Sequence, residues 1–276
     1  METHRFNKLP AWFVGEFFGT FILVFFGCGS VVTAVLTGAQ VGIFQVAIVW
    51  GLGIATAIYL TGALSGAHLN PAVTICLSVW KSFPKKRIVP YIFAQFLGAF
   101  IAAAVLFFIY SDALNDFEQT HDIVRGTPGS EASAMIFGEY FPNPRGQALS
   151  SVPSITTPLK AFTTEVIGTA ILLLVILCAT DEKNKNRPQI LTAATIGLTV
   201  TLLISLLGPL TMACFNPARD FGPRLFSSLA GWKEIPFTAN GWGWLNVYIL
   251  APIVGGLFGG ALYHFFFKEA YSLSKL

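Results

Sequence analysis

The tripeptide Asn-Pro-Ala occurs twice, as Asn70-Pro71-Ala72 and Asn216-Pro217-Ala218, each time within apolar sequence. An asparagine before a proline is a typical helix start, because its side-chain oxygen accepts an N–H of the first turn and proline tolerates the first helical position. The amide hydrogens of both asparagines are then predicted to remain free. Two such helix starts that meet at membrane depth present two amide donors and two positive dipole ends to one point. That point suits neutral hydroxylic molecules and disfavours cations, although helix capping alone is a simpler interpretation.

Arg219 lies three residues after Asn216, about one helical turn along the same face. A charged side chain within apolar sequence indicates a functional site, although an arginine there can instead extend to the lipid headgroups. Its five N–H donors can bind hydroxyl groups, and its fixed charge repels cations. We therefore predict that Arg219 faces the same passage as Asn216.

The elements that position these residues are repeated. Glu16 precedes Gly19-Thr20 as Glu165 precedes Gly168-Thr169, and one Asn-Pro-Ala follows each glutamate at a similar distance. Both glutamates lie in apolar sequence. We expect them to accept hydrogen bonds from the backbone of the segments that carry Asn-Pro-Ala, where unpaired N–H groups would be costly. Proton-relay acids of a pump are the alternative.

Composition predicts a polytopic membrane protein. Of the 276 residues, 54% are hydrophobic and only 11% are charged. Six segments are long enough to cross about 30 Å of hydrocarbon. The first is expected to remain as a membrane helix, because its apolar run exceeds that of a signal peptide. The predicted segments are 11–36, 41–67, 88–110, 161–180, 189–215 and 243–267.

Three spans in each half place the second half upside down relative to the first, which predicts an inverted repeat. The segment 70–80 is about 16 Å long as a helix and Lys81 ends it, so it can cross only half of the bilayer. The segment from Asn216 to about Leu229 repeats this pattern. The sequence thus predicts an all-α membrane protein with six transmembrane helices and two re-entrant half-helices. We assign residues 1–276 to one channel domain with halves at about 11–110 and 161–267.

Basic residues gather on one side of the predicted spans, which the positive-inside rule makes cytoplasmic. Both termini are therefore expected inside the cell, in the inner or plasma membrane, and the short basic groups give no support to nucleic-acid binding. The long segment 111–158 is then outside. It is polar and without periodicity, and a surface lid or vestibule wall is favoured over a separate binding domain. The basic residues are Arg5, Lys8, Lys81, Lys85, Lys86, Arg87, Lys183, Lys185, Arg187, Lys268 and Lys275.

The sequence carries no pattern of a metal site, a phosphate-binding loop or a nucleophile with a base, so neither a cofactor nor enzymatic activity is predicted. The four cysteines, Cys28, Cys76, Cys178 and Cys214, lack metal-ligand spacing and are interpreted as packing residues. Cys214 alone lies close enough to an Asn-Pro-Ala motif to approach the passage.

The stretches Ser65–Thr74 and Asn216–Arg224 resemble the two signature loops of the aquaporin superfamily, also called the major intrinsic proteins, and the resemblance covers nearly the whole chain. The aspartate Asp220, the stretch Phe117–His121 and the run Trp50–Gly53 are similar to those of bacterial glycerol facilitators. The resemblance implies a homotetramer in the lipid bilayer, with one pore per subunit that passes glycerol, related small polyols and water.

The resemblance also assigns residues to the selectivity constriction. Arg219 aligns with its arginine, and Trp50 with an aromatic wall opposite that arginine. The chain departs from the facilitator pattern at three positions: Ala213 replaces a second aromatic residue, Ile204 replaces a small one, and Tyr248 replaces a proline. The constriction still has two apolar sides and one arginine, which is compatible with glycerol.

Two further residues are given supporting roles. Asp220 is interpreted as a loop brace, together with Arg224, and His68 as a residue that lines the pore or fixes a loop near the cytoplasmic entry. The sequence therefore predicts a passive channel for glycerol and similar neutral solutes that excludes ions and protons. A predominantly water-selective channel is the nearest alternative, and a coupled secondary transporter is a more distant one.

Overall fold

Six long apolar helices form the body of the protein in a computed structural model that describes residues 9–40, 42–144 and 156–273. Arg5, Lys8 and Lys275 lie outside the described residues. The described part contains no strand, which confirms the all-α prediction, and each of the six helices is long enough to cross a membrane. They are Ala11–Thr37, Ile43–Ser65, Lys85–Ile109, Pro158–Ala179, Gln189–Thr211 and Gly243–Leu273, called the first to sixth spans below.

Two predicted helix ends differ from the structure by four residues or more. The fifth span ends at Thr211 and not at residue 215, because Met212 adopts a left-handed conformation with φ of 63° and caps the helix. The four residues before Asn216 are thereby freed from the helix and form an irregular segment. The sixth span continues beyond residue 267, as a single turn of wider helix over Tyr263–Phe267 leads into Lys268–Leu273.

Two half-helices, Pro71–Trp80 and Pro217–Ser227, begin directly after the two asparagines. Each one packs against a span of the opposite half: the first against the sixth span, and the second against the third. The irregular segments that precede them, 66–70 and 212–216, are called the first and second re-entrant loops. The second loop is buried throughout, and the first is buried from His68 to Asn70 while Gly66 and Ala67 line a cavity, so the irregular backbone lies where it is tolerated at membrane depth.

The connection between the third and fourth spans, residues 110–157, is called the outer connection after its predicted side of the membrane, and its described part is more regular than its sequence suggested. Ser111–Thr120 forms a helix that buries Leu114, Phe117 and Glu118, and Glu131–Ala134 forms a further short turn of helix. The prediction of a segment without periodicity is therefore wrong for 111–120, where apolar residues three apart mark the buried face. From the end of the second of these helices onwards, residues 133–141 are buried, so this part of the connection enters the protein.

Two glycines allow the re-entrant loops to approach the spans closely. A Cβ atom added at Gly19 would overlap the side chain of Leu69, and one added at Gly168 would overlap the ring of Phe215. Leu69 and Phe215 directly precede the two asparagines. The repeated glycines thus create equivalent pockets in the two halves, and each pocket holds the residue that sets the position of an asparagine.

Candidate functional site

Glu16 supports the first re-entrant loop. Its fully buried carboxylate accepts hydrogen bonds from the backbone N–H of His68 at 2.9 Å and of Leu69 at 2.8 Å. The hydroxyl of Ser65 and the amide of Gln95 also donate to it, at 2.6 and 2.7 Å. The carboxylate therefore pairs backbone donors that would otherwise be buried without partners.

Glu165 does the same for the second re-entrant loop. It accepts hydrogen bonds from the backbone N–H of Cys214 at 3.0 Å and of Phe215 at 2.8 Å, and from the hydroxyl of Thr211 at 2.6 Å. This pattern matches the first half, with Thr211 in the place of Ser65. The two loops therefore have the same support in inverted orientation, although Gln95 in the first half has no equivalent here.

The two asparagines meet at the centre of the protein. The Oδ1 atom of Asn70 accepts the N–H of Ala72 at 2.8 Å, and that of Asn216 accepts the N–H groups of Ala218 and Arg219 at 3.0 and 3.3 Å. Each Nδ2 group donates across the pseudo-symmetry axis to the carbonyl of the residue that precedes the other asparagine, at 2.8 Å in both cases. The prediction of entirely free amide hydrogens is therefore wrong. One hydrogen on each asparagine is used in these contacts, and one remains.

Pro71 and Pro217 occupy the first position of the two half-helices, where no N–H is needed. Ala72 and Ala218 follow them and are almost fully buried. Gly256 of the sixth span contacts the backbone of Ala72, since a Cβ atom there would lie 3.2 Å from the Ala72 carbonyl oxygen. Small residues at these positions thus allow the half-helices to pack closely.

A cavity of about 360 Å³ runs past the asparagines. One side is polar and consists of the two re-entrant loops, the asparagines and Arg219. The remaining walls are mainly aliphatic, with Trp50, Thr180 and Thr192 as the exceptions. Its lining residues are Leu23, Trp50, Ile54, Ile58, Gly66, Ala67, His68, Leu69, Asn70, Val73, Leu77, Leu172, Ile176, Thr180, Thr192, Ile196, Val200, Ile204, Ala213, Cys214, Phe215, Asn216 and Arg219. The cavity therefore offers hydrogen bonds along one side and apolar contact along the others.

At one end of the cavity, Arg219 lies directly over Trp50. The Cζ atom of its guanidinium is 4.1 Å from the centre of the indole ring, a cation–π contact. The sequence had placed these two side chains on opposite walls, whereas the structure stacks them. Ile204 and Ala213 line the same cavity, so all four residues assigned to the constriction border one space.

Glu139 of the long outer connection forms an ion pair with Arg219. Its side chain is 2% exposed and does not line the cavity. Glu139 therefore contacts the guanidinium on the side that faces away from the cavity. Burial raises the pKa of Glu139 to about 8, while the positive charge of Arg219 acts in the opposite direction. The sequence interpretation missed this residue. The available signal was the apolar run Met135–Phe141, in which Glu139 is the one charged residue.

Asp220 points away from the cavity and is fully buried. Its two carboxylate oxygens accept the Nε and Nη2 groups of Arg224, both at 2.8 Å. One of the oxygens also accepts the backbone N–H of Glu139 at 2.7 Å. Asp220 therefore contacts both Arg224 and the outer connection.

The remaining residues singled out in the sequence lie around the loops. The His68 ring lines the cavity, and its Nδ1 atom is 3.2 Å from the Thr74 hydroxyl. Cys214 also lines the cavity. Tyr248 is fully buried beside the second re-entrant loop and donates its hydroxyl to the Thr211 carbonyl at 3.1 Å. All four cysteines are free thiols, and no group of metal-ligating side chains is present among the described residues.

Comparisons with known proteins agree with this geometry. The family model described as Major intrinsic protein matches residues 4–263. The chain is 42% identical over 258 residues to the glycerol uptake facilitator protein of Haemophilus influenzae, covering 93% of this chain and 94% of that protein. It is 39% identical over 269 residues to the propanediol uptake facilitator of Salmonella typhimurium, covering 94% and 95%. The solved aquaglyceroporin of Plasmodium falciparum superposes with a TM-score of 0.80 at 30% identity, covering 95% of this chain and 98% of that one.

Proposed function

The chain belongs to the major intrinsic protein family, and from this premise we propose that it is a passive channel for glycerol and similar small uncharged solutes, together with water. Members of this family are channels, and the chain is accordingly a channel and not an enzyme. The observation that carries the proposal is the cavity with one polar side and aliphatic walls. A polyol matches both surfaces at once, because its hydroxyl groups need hydrogen bonds and its carbon chain does not.

The order of donors along the cavity suggests how a polyol passes. Arg219 offers the N–H groups that its ion pair with Glu139 leaves free, and further along each asparagine retains one amide hydrogen. Backbone carbonyls of the re-entrant loops supply acceptors between them. A hydroxyl group can therefore exchange its water for successive protein partners with little net loss of hydrogen bonding.

Ions are excluded by the same surfaces. The aliphatic walls offer nothing to replace the hydration shell of an ion, and the positive ends of both half-helices point at the asparagines. A cation thus loses hydration and also meets an unfavourable potential. We assign this barrier jointly to Arg219 and to the two helix dipoles.

Glycerol is favoured over the water-selective alternative. Several relatives at 42% identity are named glycerol uptake facilitators, and the structural relative is an aquaglyceroporin. Water gains nothing from the aliphatic walls, whereas a polyol can place its carbon chain against them. A diol with a methyl group is a second candidate solute, since another relative is named a propanediol uptake facilitator and Ala213 adds space beside Arg219.

The assembly and orientation are also proposals. We infer a homotetramer with one pore per subunit in the inner or plasma membrane, with both termini in the cytoplasm. Aliphatic and aromatic side chains on the outer faces of the spans support contact with lipid or with neighbouring subunits, for example Phe108 and Leu206, which are 82% and 73% exposed. The basic segment Lys85–Arg87 at the start of the third span supports the assigned orientation.

The proposal is tested by stopped-flow light scattering on proteoliposomes. One shock uses an impermeant osmolyte and reports water flux, and a second uses a glycerol gradient and reports glycerol flux. We expect both fluxes to exceed those of protein-free liposomes. Water flux without glycerol flux would favour the water channel. Glycerol flux that collapses with a protonophore would favour a coupled transporter.

A further inference from the structure

We propose that Asp220 and Arg224 form a buried clamp that positions the Glu139 carboxylate against Arg219, and that through this contact they set the selectivity of the constriction without touching the solute. The inference rests on the proposed channel function. It assigns a positioning role to two residues outside the cavity lining.

The clamp holds both backbone polar groups of Glu139. Asp220 accepts its N–H at 2.7 Å, and the Nη2 group of Arg224 donates to its carbonyl oxygen. Asp220 and Arg224 are joined to each other by two hydrogen bonds of 2.8 Å. With its N–H and C=O both fixed, Glu139 has little backbone freedom, and the direction of its side chain follows from that backbone position.

Further contacts anchor the clamp to its surroundings. The Nη1 group of Arg224 donates to the carbonyl of Pro236. The Arg224 guanidinium also lies over the rings of Tyr140 and Tyr248, with its Cζ atom 4.9 and 5.6 Å from the ring centres. Arg224 therefore joins the outer connection, the second half-helix and the sixth span at one buried point.

The same point is tied to the second re-entrant loop. Tyr248 donates its hydroxyl to the Thr211 carbonyl, and the backbone N–H of Tyr140 contacts the Met212 sulfur at 3.3 Å. Thr211 and Met212 directly precede Ala213, which lines the cavity. The clamp therefore also contacts the segment that leads to Ala213, while its contact with the constriction itself runs through Glu139 to Arg219.

The clamp belongs to a buried network in which the charges balance. Arg219, Arg224, Glu139 and Asp220 are all buried, and their formal charges sum to zero. Apolar residues of similar size can stabilise a buried site equally well, so a four-charge network is not required for stability alone. Here the network fixes the charge and the direction of the one arginine that faces the cavity.

The test is a double-mutant cycle on the full chain in proteoliposomes, read as the ratio of glycerol to water permeability per reconstituted protein. Asp220→Asn removes one charge of the clamp. Arg224→Lys retains the positive charge but lacks the planar guanidinium group that donates to several acceptors at once. Each is made in the parent and in a Glu139→Gln background. If Asp220→Asn folds poorly, the cycle is measured with Arg224→Lys and Glu139→Gln alone.

We expect each clamp variant to change the permeability ratio about threefold or more in the parent and by much less in the Glu139→Gln background, since interacting residues are not additive. The matched control is Glu118→Gln, which breaks another ion pair of the outer connection, with Arg125. It should lower thermal stability and leave the ratio unchanged. A clamp variant that leaves the ratio unchanged, or one whose effect persists undiminished without Glu139, would overturn the inference.

Failure of the clamp can be distinguished from failure of the channel function. If the parent passes no glycerol, the proposed function fails. The clamp is then tested by osmotic water permeability, measured for the same set of variants. If the parent passes glycerol and the cycle is additive, the function stands and the clamp does not.

Discussion

Arg219 and Glu139 form a buried ion pair between the second half-helix and the long outer connection. The pair holds the guanidinium against the ring of Trp50, 4.1 Å from the ring centre. The arginine is thus held in place from a segment that sequence reasoning had assigned to the surface. The ion pair joins the outer connection to the proposed constriction.

Glu139→Gln tests this connection, because it preserves the shape and one acceptor oxygen and removes the charge. Without its partner charge, Arg219 is free to turn toward the cavity, so glycerol permeability should fall about tenfold, equivalent to about 1.4 kcal/mol in the barrier. Stopped-flow glycerol flux per reconstituted protein measures the effect. Glycerol permeability equal to that of the parent would contradict the role given to Glu139.

Glycerol flux should also depend on the outside pH. Burial raises the pKa of Glu139 above its ordinary value, so lowering the pH protonates this carboxylate and removes its attraction for Arg219, and glycerol flux is expected to fall. Asp220 and Glu165 raise this pKa further, and Arg224 lowers it. The flux of the Glu139→Gln variant should be flat over the same pH range. An equally steep profile in that variant would assign the titration to another group.

Arg219→Val should admit cations or protons more readily than the parent, because it removes the fixed positive charge from the constriction. Glu139 then also remains as an unpaired buried acid, so the variant is best compared with Arg219→Val combined with Glu139→Gln. The readout is conductance under voltage clamp together with proton leak into proteoliposomes. Conductance that equals the parent's in both variants counts against the barrier function of Arg219.

The width of the constriction can be tested by enlarging the side chain at Ala213 and reducing the one at Ile204. Ala213→Phe adds an aromatic ring beside Ile204 and should lower the flux of glycerol, and that of a methyl-bearing diol even more. Combining it with Ile204→Gly should restore glycerol flux, since the double variant returns to the pattern of one aromatic and one small residue. Diol flux that is unaffected by Ala213→Phe would show that these residues do not form the narrowest point.

Glu165→Ala should destabilise the protein, because the N–H groups of Cys214 and Phe215 and the hydroxyl of Thr211 lose their acceptor. Each buried donor left unpaired costs about 1–3 kcal/mol. Glu165→Gln keeps an acceptor and should lose less. Thermal unfolding in detergent, followed by size-exclusion chromatography, compares the two variants. Equal stability of Glu165→Ala and the parent would contradict the supporting role.

Two glycine substitutions are expected to have opposite effects. Gly168→Ala places a methyl group into the ring of Phe215 and should destabilise the protein by about 1–3 kcal/mol, and displace the second asparagine. Gly62→Ala in the second span meets no atom within 4 Å and should be neutral or slightly stabilising, because alanine favours helix. Thermal unfolding in detergent measures the stability of both variants. Similar losses for the two variants would contradict the tight approach of the second loop.

The sequence predicted those features that repeat or that follow from length and polarity. Duplicated Glu and Asn-Pro-Ala motifs indicated two equivalent halves, and apolar length indicated six spans and two half-helices. Contacts between distant segments could not be derived in this way. The cross-axis hydrogen bonds of Asn70 and Asn216, the stacking of Arg219 on Trp50 and the ion pair with Glu139 each depend on tertiary packing. The clear local signal that was overlooked is the apolar run that surrounds Glu139.

The central claim is that glycerol crosses the membrane passively through this cavity, and its most direct test is the temperature dependence of labelled glycerol flux in proteoliposomes. With no ion gradient present, we expect flux well above that of protein-free liposomes, equal in both directions, with a low activation energy and no response to a protonophore. Flux that matches protein-free liposomes, or that follows a proton gradient, would contradict the account.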